Sequence, residues 1–174
     1  MLNGVIDRRF TLKNGPGMKK MLRELFSQQY FMVVATGSDE KLHTSLVAFA
    51  STDDLNWFYF ATPRNTRKFQ NLSKYPRVSL FIDNRTNDPT DITNKIGVTV
   101  EGRATEIEVK DREQTKAFFL GKNSYLKEFV DAPNTALIAV KVVRYHIVSH
   151  FQDVAILNVD EPLDRDALNL PVPD

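Results

Sequence analysis

The stretch Ala61-Thr-Pro-Arg-Asn-Thr-Arg-Lys-Phe-Gln-Asn-Leu72 carries the chain out of a strand and into a helix. Before it, residues 57–62 are Trp-Phe-Tyr-Phe-Ala-Thr, and aromatic residues suit a pleated, half-buried surface. Pro63 stops that strand, Thr66 is an N-cap, and Phe69 and Leu72 lie three apart on one helical face. Two cations, Arg67 and Lys68, follow the cap at once. The first turn of a helix already offers unpaired N–H groups and partial positive charge, so a cation there is unfavourable unless an anion compensates it. A phosphate at this turn would meet backbone donors, the Thr66 hydroxyl, Arg67 and Lys68 together. On spacing alone two readings stand: a solvated helix start capped by Thr66, or a phosphate cup.

Upstream, Met18, Met21, Leu22, Leu25 and Phe26 recur at helical spacing and predict a helix over 17–28. The apolar run 30–35 reads as a strand buried on both faces, and 42–50 as a second strand with both faces partly covered. Leu42, Thr44, Leu46, Ala48 and Ala50 share one face of it, His43, Ser45, Val47 and Phe49 the other. Downstream, strands are predicted over 77–83 and 97–109, separated by a polar loop over 84–95 whose length marks it for function or subunit contact. Helical spacing follows over 111–119 and 124–130, then strands over 135–149 and 152–158, the first too long to be flat. The expectation is a mainly β, α+β domain: a barrel of about six antiparallel strands with short flanking helices.

The 174 residues fit one domain over 1–174, with 1–16 as an N-terminal arm and 160–174 as a C-terminal tail, and a 42% hydrophobic content supplies its core. Twenty-three Lys and Arg against 22 Asp and Glu leave a formal charge of +1, too little to draw the chain onto nucleic acid or an anionic membrane. With no cysteine, disulfides, thiolate zinc sites, iron–sulfur clusters and a cysteine nucleophile are excluded. No apolar segment approaches a membrane span or a secretory h-region, so a cytoplasmic location is expected. The seven glycines form no G-x-G-x-x-G array and no Ser-His-Asp order stands out.

Val34-Ala-Thr36, Leu42-His-Thr-Ser-Leu-Val47, Phe58-Tyr-Phe-Ala-Thr62, Thr66-Arg-Lys68 with Asn71-Leu72, Pro76-Arg-Val-Ser-Leu80 and Glu101-Gly-Arg-Ala104 resemble, in order and spacing, the pyridoxamine-phosphate-oxidase-like flavoprotein family. The resemblance implies an FMN-binding split β-barrel, usually a homodimer with an FMN in each of two clefts between subunits. It places Thr66, Arg67 and Lys68 on the phosphate and Ala61 and Thr62 at the strand end beside it. Ser45, Leu46, Val47 and Ala48 fall along the isoalloxazine ring, chiefly through backbone groups, with Ser45 and Val47 presenting side chains if their face is inward. Asn94 and Lys95, and His150 or Phe151, are candidates to reach the partner subunit's flavin.

Authentic pyridoxamine-phosphate oxidases carry an Arg and a Lys on the second strand where this chain has Ser45 and Ala50, and end in an Arg- and His-rich substrate segment. This chain ends Asn169-Leu-Pro-Val-Pro-Asp174. Without those cations a phosphorylated vitamer has no evident clamp. The implied function is therefore an FMN-dependent oxidoreductase or electron carrier of another substrate. The rivals are a non-enzymatic flavin-binding or storage protein, and a haem or deazaflavin user on the same fold. His43, His146 and His150 are the only histidines. On a strand His146 and His150 share a face but stand about 13 Å apart, too far for one metal, so no metal site is expected. Either could serve as the axial ligand in the haem reading.

Overall fold

The computed structural model describes residues 16–38, 41–149 and 153–159. The arm over 1–15, the tail from 160 and the candidates His150 and Phe151 lie outside the described residues. Helix α1 (Pro16–Gln28) precedes β1 (Phe31–Ser38), β2 (Lys41–Ala48), β3 (Ala50–Ser51) and β4 (Trp57–Pro63). Then come α2 (Arg67–Lys74), β5 (Arg77–Asp83), α3 (Asp91–Asn94) and β6 (Ile96–Glu106). The described elements end with α4 (Val109–Lys122), a 3-10 turn (Ser124–Leu126), α5 (Lys127–Asp131), β7 (Thr135–Ser149) and β8 (Asp153–Asn158).

The eight described strands pair antiparallel in one sheet, seven of them in the order β2-β1-β5-β6-β7-β4-β3 with β8 off this path against β7. The long β7 pairs β6 on one edge; on its other edge it pairs β4 and then β8, end to end. The expected single strand over 42–50 is two strands. Its pairing with β1 ends at Ala48 opposite Phe31, Phe49 N–H donates to Tyr30 O, and from Ala50 the chain pairs β4 instead. Residues 41–51 thus join the two ends of the sheet, which closes the barrel at Phe49. Beyond that point β2 and β4 diverge, and this is the split.

The core fills the barrel. Leu22, Leu25 and Phe26 of α1 are buried against it as the periodicity predicts, and Phe26 meets Phe58 edge-on at 5.0 Å between ring centres. Burial of such side chains contributes about 1.5–3 kcal/mol each. β1 departs from expectation: Met32, Val34 and Thr36 are buried, but Phe31 is 53% exposed. Leu46 opposite Val33 on β2 is 68% exposed. Among the described residues no helix lies over the outer face of β1 and β2, so within them only one face of each strand is covered. β6 bends at Glu101–Gly102, where its register on β7 shifts by one residue. Gly102 is required there, because a Cβ would stand 2.5 Å from Val140 Cγ1 and 2.8 Å from Lys141 O.

A second, smaller core of Ala50, Ala61, Phe119, Val130 and Leu137 lies outside the barrel, where α4 and α5 cover β4 and β7. These helices wall one side of the split. Among the described residues no helix is long and apolar enough to cross a membrane.

Candidate functional site

The turn after β4 is held by its own hydroxyls. Thr66 is the N-cap of α2, with extended backbone and an oxygen that accepts from Phe69 N–H at 3.4 Å. Its O–H donates to Pro63 O at 2.8 Å, and the buried Thr62 hydroxyl sits 3.0 Å from it. The Thr66 proton is therefore engaged within the turn: Thr66 shapes the helix start, and donating to an anion means exchanging that bond. The helix is then pinned to the sheet by Asn71, which is buried and donates through Nδ2 to Thr36 Oγ1 of β1 at 3.0 Å.

Arg67 and Lys68 occupy the first two helical positions, with no acidic residue in that turn. Arg67 is exposed, and no described carboxylate pairs with it. Lys68 is half-buried, and desolvation pushes its ammonium below the ordinary lysine range with no described counter-charge to restore it. Cationic side chains thus add to a backbone end that is already positive.

Lys68 also lines a cleft of about 220 Å³ in the split. Leu46, Val47 and Ala48 of β2 form one wall, and Ala61 and Pro63 of β4 the other. Among the described residues β2 pairs only with β1, so the N–H and C=O groups of its other edge face the split without a described strand partner. The cleft therefore combines a cation at one end, a row of backbone donors and acceptors, and apolar walls. That is the donor set a planar, polar-edged ring bearing an anionic tail requires.

Five residues singled out in the sequence meet here: Leu46, Val47, Ala48, Ala61 and Lys68. Val47 is on the inward face as its alternation implies, yet Leu46 and Ala48 of the opposite face also line the cleft, because the split exposes the strand edge rather than one face. Ser45 is half-buried and Thr62 fully buried, and neither lines it. Lys95 is exposed just before Ile96, which pairs Ser149, and Asn94 precedes it as the last residue of α3. β1 and β5 stand between that point and β2, and Lys95 does not line the cleft of its own chain.

Sequence reasoning missed Phe31, Phe119, Tyr125, Leu126 and Phe129, which complete the lining. Tyr125 and Phe129, four apart, were visible as large apolar residues on a segment too short to bury both; they are 61% and 37% exposed. His146 lies elsewhere, with Nε2 2.8 Å from Glu101 Oε1 on the outer face of β6 and β7. Among the described residues no group of three or more His, Asp or Glu could hold a metal ion.

Residues 18–149 match the family model described as pyridoxamine 5'-phosphate oxidase. No curated protein matches the sequence. Among solved structures, a heme binding protein from Mycobacterium smegmatis superposes with a TM-score of 0.72 at 17% identity, over 83% of this chain and 59% of that one. General Stress Protein 26 from Bacillus anthracis gives 0.63 at 23% identity, over 82% of this chain and 98% of that one. A FAD-binding protein from Mesorhizobium loti gives 0.60 at 15% identity, over 74% and 90%. At these identities the likeness is one of fold.

Proposed function

The chain belongs to the pyridoxamine 5'-phosphate oxidase family, and on that premise we propose that it is an FMN-binding flavoprotein, an oxidoreductase or electron carrier rather than a vitamin B6 oxidase. The observation that carries the reading is Lys68: a half-buried cation without a described counter-charge, at a helix start, in the same cleft as the unpaired edge of β2. In this reading Arg67 and Lys68 neutralise the phosphate together with the first N–H groups of α2, and Thr66 sets the turn. The β2 edge at residues 45–48 fixes the ring through backbone groups, while Ala61 and Pro63 exclude water on the far wall. Bound FMN supplies hydride or electron transfer; the protein supplies binding, orientation and electrostatics. A true vitamer oxidase needs a clamp for a second phosphate, and the half-buried Ser45 and buried Ala50 offer no cation on the strand.

The cleft of one chain is smaller than the 300–1,000 Å³ of typical cofactor sites, which supports completion by a second copy. The outer face of the sheet supports the same arrangement. Leu46, Phe81 and Ile156, in register across β2, β5 and β8, are 68%, 38% and 40% exposed, with Phe31, Val148 and Val154 alongside. In a homodimer over that face, Asn94, Lys95 and His150 of one subunit are the residues assigned to the other's cofactor.

The spectrum of the purified protein tests the cofactor: a band near about 450 nm is expected from flavin. Replacing Arg67 and Lys68 together by Ala should abolish FMN retention with the fold intact, since two charge-assisted contacts of about 1.5–3 kcal/mol each are lost. Unchanged FMN affinity in that variant refutes the site. A Soret band instead would favour the haem reading, which the fold shared with a heme binding protein keeps in view. A yellow protein that NADH and NADPH fail to bleach would be a flavin binder without turnover.

A further inference from the structure

A second and larger cleft, about 550 Å³, opens between α1, α4 and the turn after β3. Two of its lining residues are cations from different helices, Arg23 of α1 and Lys122 of α4, and one is a carboxylate, Asp53. None of the residues assigned above to FMN lines it, yet the two clefts adjoin: Ala48 and Phe119 line the smaller one, Ala50 and Phe118 the larger.

Lys122 is the unusual member. Its ammonium donates at 2.6 Å to Phe26 O and at 2.6 Å to Gln29 O, where α1 ends, and stands 3.9 Å above the centre of the Phe49 ring. These contacts fix its position and take up two of its three N–H groups, so it acts on the cleft chiefly as a charge, and no described carboxylate pairs with it. Burial pushes it down to about 8, so it stays protonated at neutral pH. Arg23 is anchored too: Nε donates to Asp53 O at 2.7 Å, and no described group accepts from its terminal nitrogens. Phe118 is 45% exposed and held edge-on by Tyr59, at 5.5 Å between ring centres.

We propose that this cleft binds a small planar organic monoanion of the aromatic carboxylate class, its acid group between Lys122 and Arg23 and its ring against Phe118. Two cations against one carboxylate leave the lining one positive charge in excess, which matches a carboxylate better than a phosphate dianion. Lys122 is a preset charge and Arg23 a planar fork for two oxygens. The volume lies within the range of small-molecule sites. The inference does not rest on the flavin reading; if FMN occupies the smaller cleft, the bound acid lies beside it.

Titration calorimetry of the full-length protein with benzoate, and with benzamide as its neutral isostere, tests the site. Benzoate should bind at one site per chain, and benzamide about tenfold more weakly or not at all. Lys122→Met should weaken benzoate about tenfold, and Arg23→Gln, on an exposed helix position, should weaken it several-fold without touching the fold. Flavin content should stay unchanged in both, and the Arg67→Ala, Lys68→Ala double variant should keep benzoate binding. The proposal is overturned if benzoate gives no heat up to about 10 mM, if benzamide binds equally well, or if Arg23→Gln leaves the affinity unaltered. Should Lys122→Met fail to give a native circular dichroism spectrum, Arg23→Gln and Phe118→Ala decide the matter.

Discussion

Asn71 Nδ2 donates to Thr36 Oγ1 at 3.0 Å, and both residues are buried. This bond ties the middle of α2 to β1, and through β1 to the strand whose edge lines the split. Asn71→Leu should leave the Thr36 hydroxyl without that donor and cost about 1–3 kcal/mol in urea unfolding. In the same variant FMN should bind more weakly although Asn71 does not line the cleft, because the helix start is no longer held in place. Unchanged affinity with lowered stability would separate the anchor from the site.

Lys68 gives the FMN reading a pH signature. Its ammonium is held below the ordinary lysine range by desolvation, so on the alkaline side it loses its proton before an exposed lysine does. FMN affinity, followed by quenching of flavin fluorescence, should fall there. Lys68→Arg, which stays charged at every accessible pH, should keep binding flat across the same range.

Lys122 gives a stability signature of opposite sense to the usual ion pair. Its folded value of about 8 lies below the ordinary 10.5, so between these limits the unfolded chain holds a proton that the folded chain has released. Stability therefore rises with pH across that window and is flat below it with respect to this group. Urea midpoints of wild type and Lys122→Met, measured from pH 7 to about 10.5, should diverge in slope only above about 8.

Gly102→Ala should destabilise through overlap rather than through conformation. The added Cβ meets Val140 Cγ1 and Lys141 O, and the latter is backbone within the sheet and cannot rotate away. A loss of about 1–3 kcal/mol, or a lowered melting temperature with FMN still bound, is expected.

The strands over 77–83 and 135–149 and the cap at Thr66 were legible because each rests on a local signal: alternation, an uninterrupted run of β-formers, a hydroxyl before a helical pattern. The division at Phe49 was not. Residues 42–50 alternate without a break, and only the competition between β1 and β4 for pairing partners divides them. The uncovered outer face of β1 was misread for a related reason: Phe31 and Val33 are as apolar as buried residues, and what covers them is set outside the strand. Lys68 could be picked out beside its cap, whereas Phe119, Tyr125 and Phe129 join it only because α4 and α5 fold back across β4, a long-range event without a local mark. Lys122 carried no signal at all, being one lysine in a run that reads as a loop.

The open edge of β2 has a consequence for solubility. Backbone groups that face the split without a strand partner can template the addition of a strand from another molecule, and the exposed Leu42 and Leu46 beside them make that contact sticky. On the proposed reading, a cofactor seated there would shield those groups from foreign chains, so that loading and resistance to aggregation would be coupled and the protein stripped of its cofactor should precipitate first.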